Sequence, residues 1–172
     1  AEKIYLEALK LAESISYPLG QAQIFSGLMQ LNFLSENFNE ALFYIRETAR
    51  VNKEGLDLPV HQENFGKVYL AMGQYDLAKS CFERDIIGLG EDPQPDQILE
   101  ETYFHYANLS FLLGEKETAL NQLKIAFQNS AALGFDEFLV PLARKPKDFL
   151  EELSKEWDSP QLKSLIKRSK KK

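Results

Sequence analysis

The chain is short of the residues that staple or anchor a protein. Its 172 residues hold one cysteine, one tryptophan and two methionines, and no apolar run approaches the roughly 20 residues that cross a bilayer. A single thiol, Cys81, cannot close an internal disulfide, so nothing requires an oxidising compartment and thiol redox chemistry is not expected. There is no signal-like leader, and with 27% charged residues the expected setting is soluble and cytoplasmic, with no membrane partner. The period-two alternation of a half-buried strand is missing as well. What remains is a chain with 44% hydrophobic residues, enough for a real core and, by its length, for one domain.

Acidic residues outnumber basic ones 26 to 20, but unevenly. Residues 158–172 carry Lys163, Lys167, Arg168, Lys170, Lys171 and Lys172 against Asp158, a net +5 that leaves −11 on the rest. Such a body disfavours nucleic acid and suits a basic partner. The +5 segment offers charge to a polyanion, although cations favoured at a helix C-terminus and a disordered, solvated terminus account for it without one. The chain begins without Met, inside an amphipathic helix where Ile4, Tyr5, Ala8, Leu9, Leu11 and Ala12 fall mostly on one stripe. It is therefore expected to be a cut or processed piece of a longer polypeptide, with further domains upstream.

Alanine supplies the rhythm. Ala1, Ala41, Ala78 and Ala119 each stand four residues before Tyr5, Ile45, Phe82 or Leu123 on one helical face, at intervals of 40, 37 and 41 residues. Such intervals mark an array of helical hairpins. Apolar period and punctuation predict helices over 2–16, 20–34, 38–54, 58–72, 75–88, 96–113 and 116–132. Asp57 and Asp96 are expected to cap the helices that follow them, with Pro59 in a first turn where its missing N–H costs little. Short connections make neighbouring helices antiparallel, and each hairpin leaves an apolar face bare until the next stacks on it. The recurring alanine lets two helices approach closely while the large residue four positions on fills the gap.

After residue 133 the rhythm stops, and 135–142, 147–157 and 161–168 read as three shorter helices, the last started by Ser159 as cap and Pro160 in the first turn. Leu139, Leu142, Phe149, Leu150, Leu153 and Trp157 are expected to cover the last hairpin. The predicted division is a repeat domain over 1–157 and a basic C-terminal tail over 158–172. Within the first lie a half-repeat 1–16, hairpins 20–54, 58–88 and 96–132, and a cap 135–157.

The stretch Asn64-Phe65-Gly66-Lys67-Val68-Tyr69-Leu70-Ala71-Met72-Gly73-Gln74-Tyr75-Asp76-Leu77-Ala78-Lys79-Ser80-Cys81-Phe82 closely resembles a tetratricopeptide repeat (TPR). Gly66, Tyr69, Gly73, Tyr75, Ala78 and Phe82 stand where that motif has its small, aromatic and turn residues. Less complete copies are 25–48, with Leu28, Phe38, Ala41 and Ile45, and 103–126, with Ala107, Gly114, Ala119 and Leu123. Residues 1–11 are similar to a second helix without its first, so the likeness covers about 1–133. It implies an all-α fold, a right-handed α-α superhelix of helical hairpins, here with a helical C-terminal cap. Thr48 and Asp85 replace the second small alanine that Ala8 and Ala126 supply in the other copies, so looser packing is expected there. Links longer than the tight Asp-Pro turn resemble the longer-period subclass of bacterial regulators, and 132–140 is similar to the ending of repeat arrays in bacterial transcriptional activators.

By that resemblance the first helix of each hairpin lines a concave wall. Here the wall would comprise Gln23, Ser26, Gln30 and Phe33, then Glu63, Lys67 and Leu70, then Glu101, Phe104, Asn108 and Phe111. Gln30 and Asn108 can bond the backbone of an extended peptide, Phe104 and Phe111 can offer apolar pockets, and Lys67 can meet a carboxylate. A plainer account leaves the polar groups solvated and puts Phe33 and Phe111 in the core. The clamp of Lys, Asn and Arg with which some members hold acidic chaperone tails is not reproduced, because Glu63 and Glu101 stand where cations would help. The implied function is non-catalytic protein or peptide binding, as the sensory or interaction arm of a larger bacterial regulator. The alternative is self-assembly, a homodimer through the open face of the first repeat.

No residue pattern supports catalysis, a cofactor or a metal. His61 and His105 sit on different hairpins without the ligand spacing of a metal site, so structural roles are expected. Cys81 lies beside Phe82 on a core-facing stripe, where an inert buried thiol is expected and no activating base is evident. Glu91, Asp92 and Asp96 crowd one loop but lack the ordered spacing of a calcium loop.

Overall fold

A computed structural model describes residues 2–56, 62–88, 94, 97–134 and 136–171. The chain is all-α: among the described residues every regular element is helical, ten α-helices and one π-helical turn. It divides into two compact units, Ala1–Ala78 and Lys79–Lys172, where the sequence predicts a single repeat domain over 1–157.

Unit 1 contains α1 (Glu2–Ser14), α2 (Pro18–Leu34), α3 (Phe38–Val51), a π-helical turn (Asn52–Leu56), α4 (Glu63–Ala71) and the start of α5 (Tyr75–Gly88). Helices α2 and α3 form an antiparallel hairpin: Phe33 meets Phe38 beside the turn at 6.1 Å, and Phe25 stacks on Tyr44 further along at 6.2 Å. Ala41 is fully buried, and Met29, Leu42, Ile45 and Val68 of α4 close around it. A separate cluster of Ala22, Phe25, Leu28 and Val51, with Leu9 packed against it, ties α1 and the end of α3 to α2. Helix α1 can lie on α2 because Gly27 has no side chain; a Cβ there would come within 2.6 Å of the Tyr5 ring.

Unit 2 contains the rest of α5, then α6 (Gln97–Leu112), α7 (Lys116–Leu133), α8 (Leu139–Leu142), α9 (Lys147–Glu156) and α10 (Pro160–Ser169). One core joins them: Phe104, Ala107, Ala119, Leu123, Ala126 and Phe127 of the α6–α7 hairpin pack with Leu139, Phe149, Leu150, Leu153, Leu162 and Leu165. Helices α8 and α9 therefore cover the hairpin, where the sequence places a cap over 135–157, and α10 joins them. Segment 158–171 is not a solvated tail. Leu162 and Leu165 are fully buried, which holds α10 in unit 2, and Ser159 caps it by accepting the Leu162 N–H at 3.3 Å with Pro160 in the first turn. Its cations turn outward to acidic neighbours: Arg168 to Asp136 and Glu137, Lys163 to Asp158 and Lys170 to Glu151.

The helix ends repeat one closure. The N–H groups of Tyr17, Asn37, Gln74 and Glu115 donate to the carbonyls of Ala12, Asn32, Tyr69 and Ser110, at 2.8, 2.9, 2.9 and 2.9 Å. Each follows a residue in the left-handed region: Ser16 at φ 52°, Glu36 at 60°, Gly73 at 72° and Gly114 at 82°. A bond running back five residues past a left-handed residue is the Schellman closure of a helix C-terminus. Two of the four carry glycine, for which that backbone is unstrained.

Boundaries differ from expectation at several places: α1 stops at Ser14, α2 begins at Pro18, and of the helix expected over 135–142 only Leu139–Leu142 is helical among the described residues. Helix α3 gives way at Asn52 to a π-helical turn instead of running to 54, and Gln62, expected inside a helix, is a bend before α4 starts at Glu63. The predicted caps Asp57 and Asp96, Pro59, and the first beat of the alanine series, Ala1, lie outside the described residues. Ala41, Ala78, Ala119, Phe82 and Leu123 are 0% exposed and Ile45 6%, as the rhythm requires, whereas Tyr5, the large residue of the first beat, is 36% exposed.

Candidate functional site

The expected wall residues fall into both units, and each unit gathers some of them with neighbours that the sequence did not single out. In unit 1, Gln23 and Gln30 are exposed on α2. Gln23 borders an open apolar recess of about 320 Å³ with Tyr5, Leu11, Ile15, Tyr17 and Ile24. Ser26 lines a smaller and more enclosed cavity of about 170 Å³, shared with Met29, Ile45, Thr48, Ala49, Asn52 and Asn64.

Lys67 is engaged within the protein. Its ammonium stands 3.3 Å from the Glu63 carboxylate and 5.9 Å from the centre of the Phe33 ring, with only 12% of the side chain exposed. Glu63 is buried, and Phe33 is half-buried against the Met29–Val68 cluster. Lys67 therefore meets a carboxylate of its own chain, Glu63 one turn back on α4, where the sequence reading has it meet a ligand's.

In unit 2, Asn108 and Phe111 of α6 come together. With Leu112, Lys145, Pro146, Asp148 and Phe149 they line a groove of about 370 Å³ between the end of α6 and the start of α9. Phe111 is half-buried, its ring 5.6 Å from that of Phe149. Glu101 accepts a hydrogen bond from Gln97 at 2.6 Å, one turn back on the same helix. Phe104 offers no pocket: it is 0% exposed and meets Phe149 edge to face at 5.9 Å. The physical reason is α9, which delivers Phe149 to the side of α6 that carries Phe104.

Several groups the sequence weighed for chemistry have structural surroundings. His105 stacks on Phe82 and meets Phe104 edge to face. Cys81 is buried, and burial pushes its thiol pKa up, away from the nucleophilic thiolate. His61, Glu91, Asp92 and Asp96 lie outside the described residues. Asp85, one of the two departures from the small alanine, does not sit in a void. It is 5% exposed and accepts the Thr102 hydroxyl at 3.0 Å. Thr48, the other departure, borders the 170 Å³ cavity.

One titratable group was not foreseen. Glu100, in the first turn of α6, is 0% exposed, and neither carboxylate oxygen has a hydrogen-bond partner among the described residues. Burial, then Asp136 and Glu101 nearby, push its pKa up to about 8.

No family model, curated protein or solved structure matches the chain. Among the described residues, no helix is long and apolar enough to cross a membrane.

Proposed function

We propose that the chain is a non-catalytic protein- or peptide-binding array of the TPR type, a right-handed stack of helical hairpins, serving as the sensory or interaction arm of a larger regulatory protein. The observation that carries this reading is the Asn108–Phe111 groove. A carboxamide able to pair with a peptide backbone stands beside an aromatic floor able to take an apolar side chain, on the first helix of a hairpin. The repeated Schellman closures and buried alanines support the repeat class. Partners from a peptide library are expected to be retained by the wild type and lost on Asn108→Ala with Phe111→Ala. Equal retention by both proteins would move the binding surface elsewhere.

A second reading, self-assembly, rests on the exposed apolar side chains around the 320 Å³ recess, where Leu11 and Ile15 are each 63% exposed. Light scattering separates the two readings: a dilution-resistant dimer dissociated by Leu11→Glu supports assembly, and a monomer with intact peptide binding removes it.

A further inference from the structure

The 170 Å³ cavity of unit 1 has a composition that selects its guest. Its floor is apolar, from Met29, Ile45 and Ala49, and its polar rim comes from Ser26, Thr48, Asn52 and Asn64; among the described residues no charged side chain lines it. Both hydroxyls have already committed their protons along their own helices. Ser26 donates to the Ala22 carbonyl at 2.9 Å and Thr48 to the Tyr44 carbonyl at 2.9 Å, so each presents only oxygen lone pairs to the cavity. The Asn52 and Asn64 carboxamides, which hold no hydrogen bond among the described residues, add four N–H donors and two acceptor oxygens. Asn52 begins the π-helical turn, a widened backbone that is frequent at functional sites.

A guest has to complement this set. A carboxylate can accept from the two carboxamides, but it donates nothing to the Ser26 and Thr48 oxygens and finds no cation among the described lining residues to offset its desolvation. An ammonium or guanidinium satisfies those acceptors but finds no anion among the described lining residues to offset its desolvation. A purely apolar guest leaves the rim unpaired. A neutral carboxamide has both donors and acceptors in one plane, and an Asn or Gln side chain fits the volume. A free amino acid of the same type brings two charges that the lining cannot match, so the group belongs on a chain whose backbone runs outside.

We propose that this cavity is a specificity pocket for an uncharged carboxamide side chain of a bound peptide. The assignment rests on the peptide-binding reading and adds the chemical class that one subsite accepts. Its signal in the sequence is Thr48, which stands where a closely packed copy would place alanine.

The test is an NMR titration of the full ¹⁵N-labelled chain with a pentapeptide of blocked termini, four alanines around a central glutamine. The same peptide with glutamate or methionine at the centre, and propionamide alone, serve as comparisons. The glutamine peptide should shift the Asn52 and Asn64 side-chain amides and the Thr48 backbone amide. The glutamate and methionine peptides should bind at least about ten-fold more weakly, because a site built to bond an amide rejects analogues that leave its groups unpaired. Propionamide should shift the same resonances at higher concentration; if it binds as tightly as the peptide, the guest is a free amide and the proposal fails. Thr48→Val, nearly the same shape without the acceptor, should weaken the glutamine peptide with the melting curve unchanged. Asn64→Leu should do the same independently. Equal binding of the three peptides overturns the pocket. If the glutamine peptide instead shifts Asn108 and Phe111, the pocket falls while the peptide-binding reading stands. If no peptide shifts any resonance, both fall.

Discussion

The hairpins α2–α3 and α6–α7 start from the same parts and finish differently. Each turns through a Schellman closure and buries one alanine completely, Ala41 and Ala119. Seven residues further on, the second has Ala126 at 0% exposure, and its core runs on without division into α8, α9 and α10. The first has Thr48 there, a 170 Å³ cavity beside it, and apolar residues gathered into two separate clusters. The contrast teaches that a helical hairpin tolerates a polar residue where its counterpart has a small one, and that in α2–α3 the gap beside Thr48 gathers Ser26, Asn52 and Asn64. Close packing and an open site are competing uses of the same backbone position.

The sharpest way to break the comparison is to delete a large side chain on each side. Phe104→Ala removes a fully buried ring from the continuous core and is expected to cost about 3–5 kcal/mol. Met29→Ala, next to the existing cavity, should fall near the low end for such truncations, about 2 kcal/mol, because part of its surroundings is already open. Urea unfolding of the two variants measures the difference. A nearly neutral Phe104→Ala would return that ring to a binding wall, and a Met29→Ala as costly as Phe104→Ala would erase the distinction between the hairpins.

Unit 2 also carries a penalty within its tight core. Glu100 has a folded pKa of about 8 against an ordinary 4.5, so between those values the folded chain keeps a proton that the unfolded chain has lost. The contribution of Glu100 to stability therefore declines as pH rises from about 4.5 and levels off above about 8. Glu100→Gln keeps the shape and a neutral group. It is expected to gain on the order of a few kcal/mol at pH 8.5 and little at pH 4.5. Denaturant midpoints of both proteins across that range check the slope. A wild type whose stability rises over the window relative to Glu100→Gln would show that the carboxyl is ionised and compensated.

Helix positions and turns were legible because they are local. A glycine after an apolar stripe and an alanine four residues before a large residue need no distant partner, and Gly73, Gly114, Ala41 and Ala119 do what their spacing predicts. Ser159-Pro160 starts α10 for the same reason. What stayed hidden depends on tertiary neighbours. Phe104 and Phe111 share one face of α6, and nothing within α6 tells which one Phe149 will bury. Glu100 in a first helical turn reads as a solvated acid, and Lys67 as a free cation, until the groups around them are known. The carboxamide cavity was half visible: Thr48 marked a departure from close packing, but the π-helical turn that Asn52 begins has no local signature, since the preceding residues continue an ordinary helical pattern.

Filling experiments sharpen the comparison with smaller effects of opposite sign. Ala119→Leu forces a large side chain into the closed contact of α6 and α7 and is expected to cost about 1–3 kcal/mol. Thr48→Leu points the same bulk at an existing void and should be neutral or stabilising by up to about 1 kcal/mol. The second substitution should also abolish any carboxamide binding, since it removes an acceptor and occupies the space. Thermal melts of the pair read the difference, and a Thr48→Leu variant as damaged as Ala119→Leu would mean that the cavity cannot accept a side chain.

The smallest effect lies at the turns, where the hairpins use different residues for one backbone shape. Glu36 holds φ 60° with a full side chain, and Gly114 holds φ 82° with none. Left-handed backbone strains an L side chain by about 1–2 kcal/mol, and glycine's greater freedom in the unfolded chain takes back part of any gain. Glu36→Gly should therefore stabilise the first hairpin by about 0.5–1 kcal/mol, and Gly114→Ala should weaken the second by about 1 kcal/mol, although a Cβ at Gly114 would meet nothing within 4 Å. Because steric contact is absent there, a loss at Gly114 isolates backbone strain from packing. Equal melting temperatures for Gly114→Ala and the wild type would show that the Schellman closure itself, and not glycine, sets the energy of these turns.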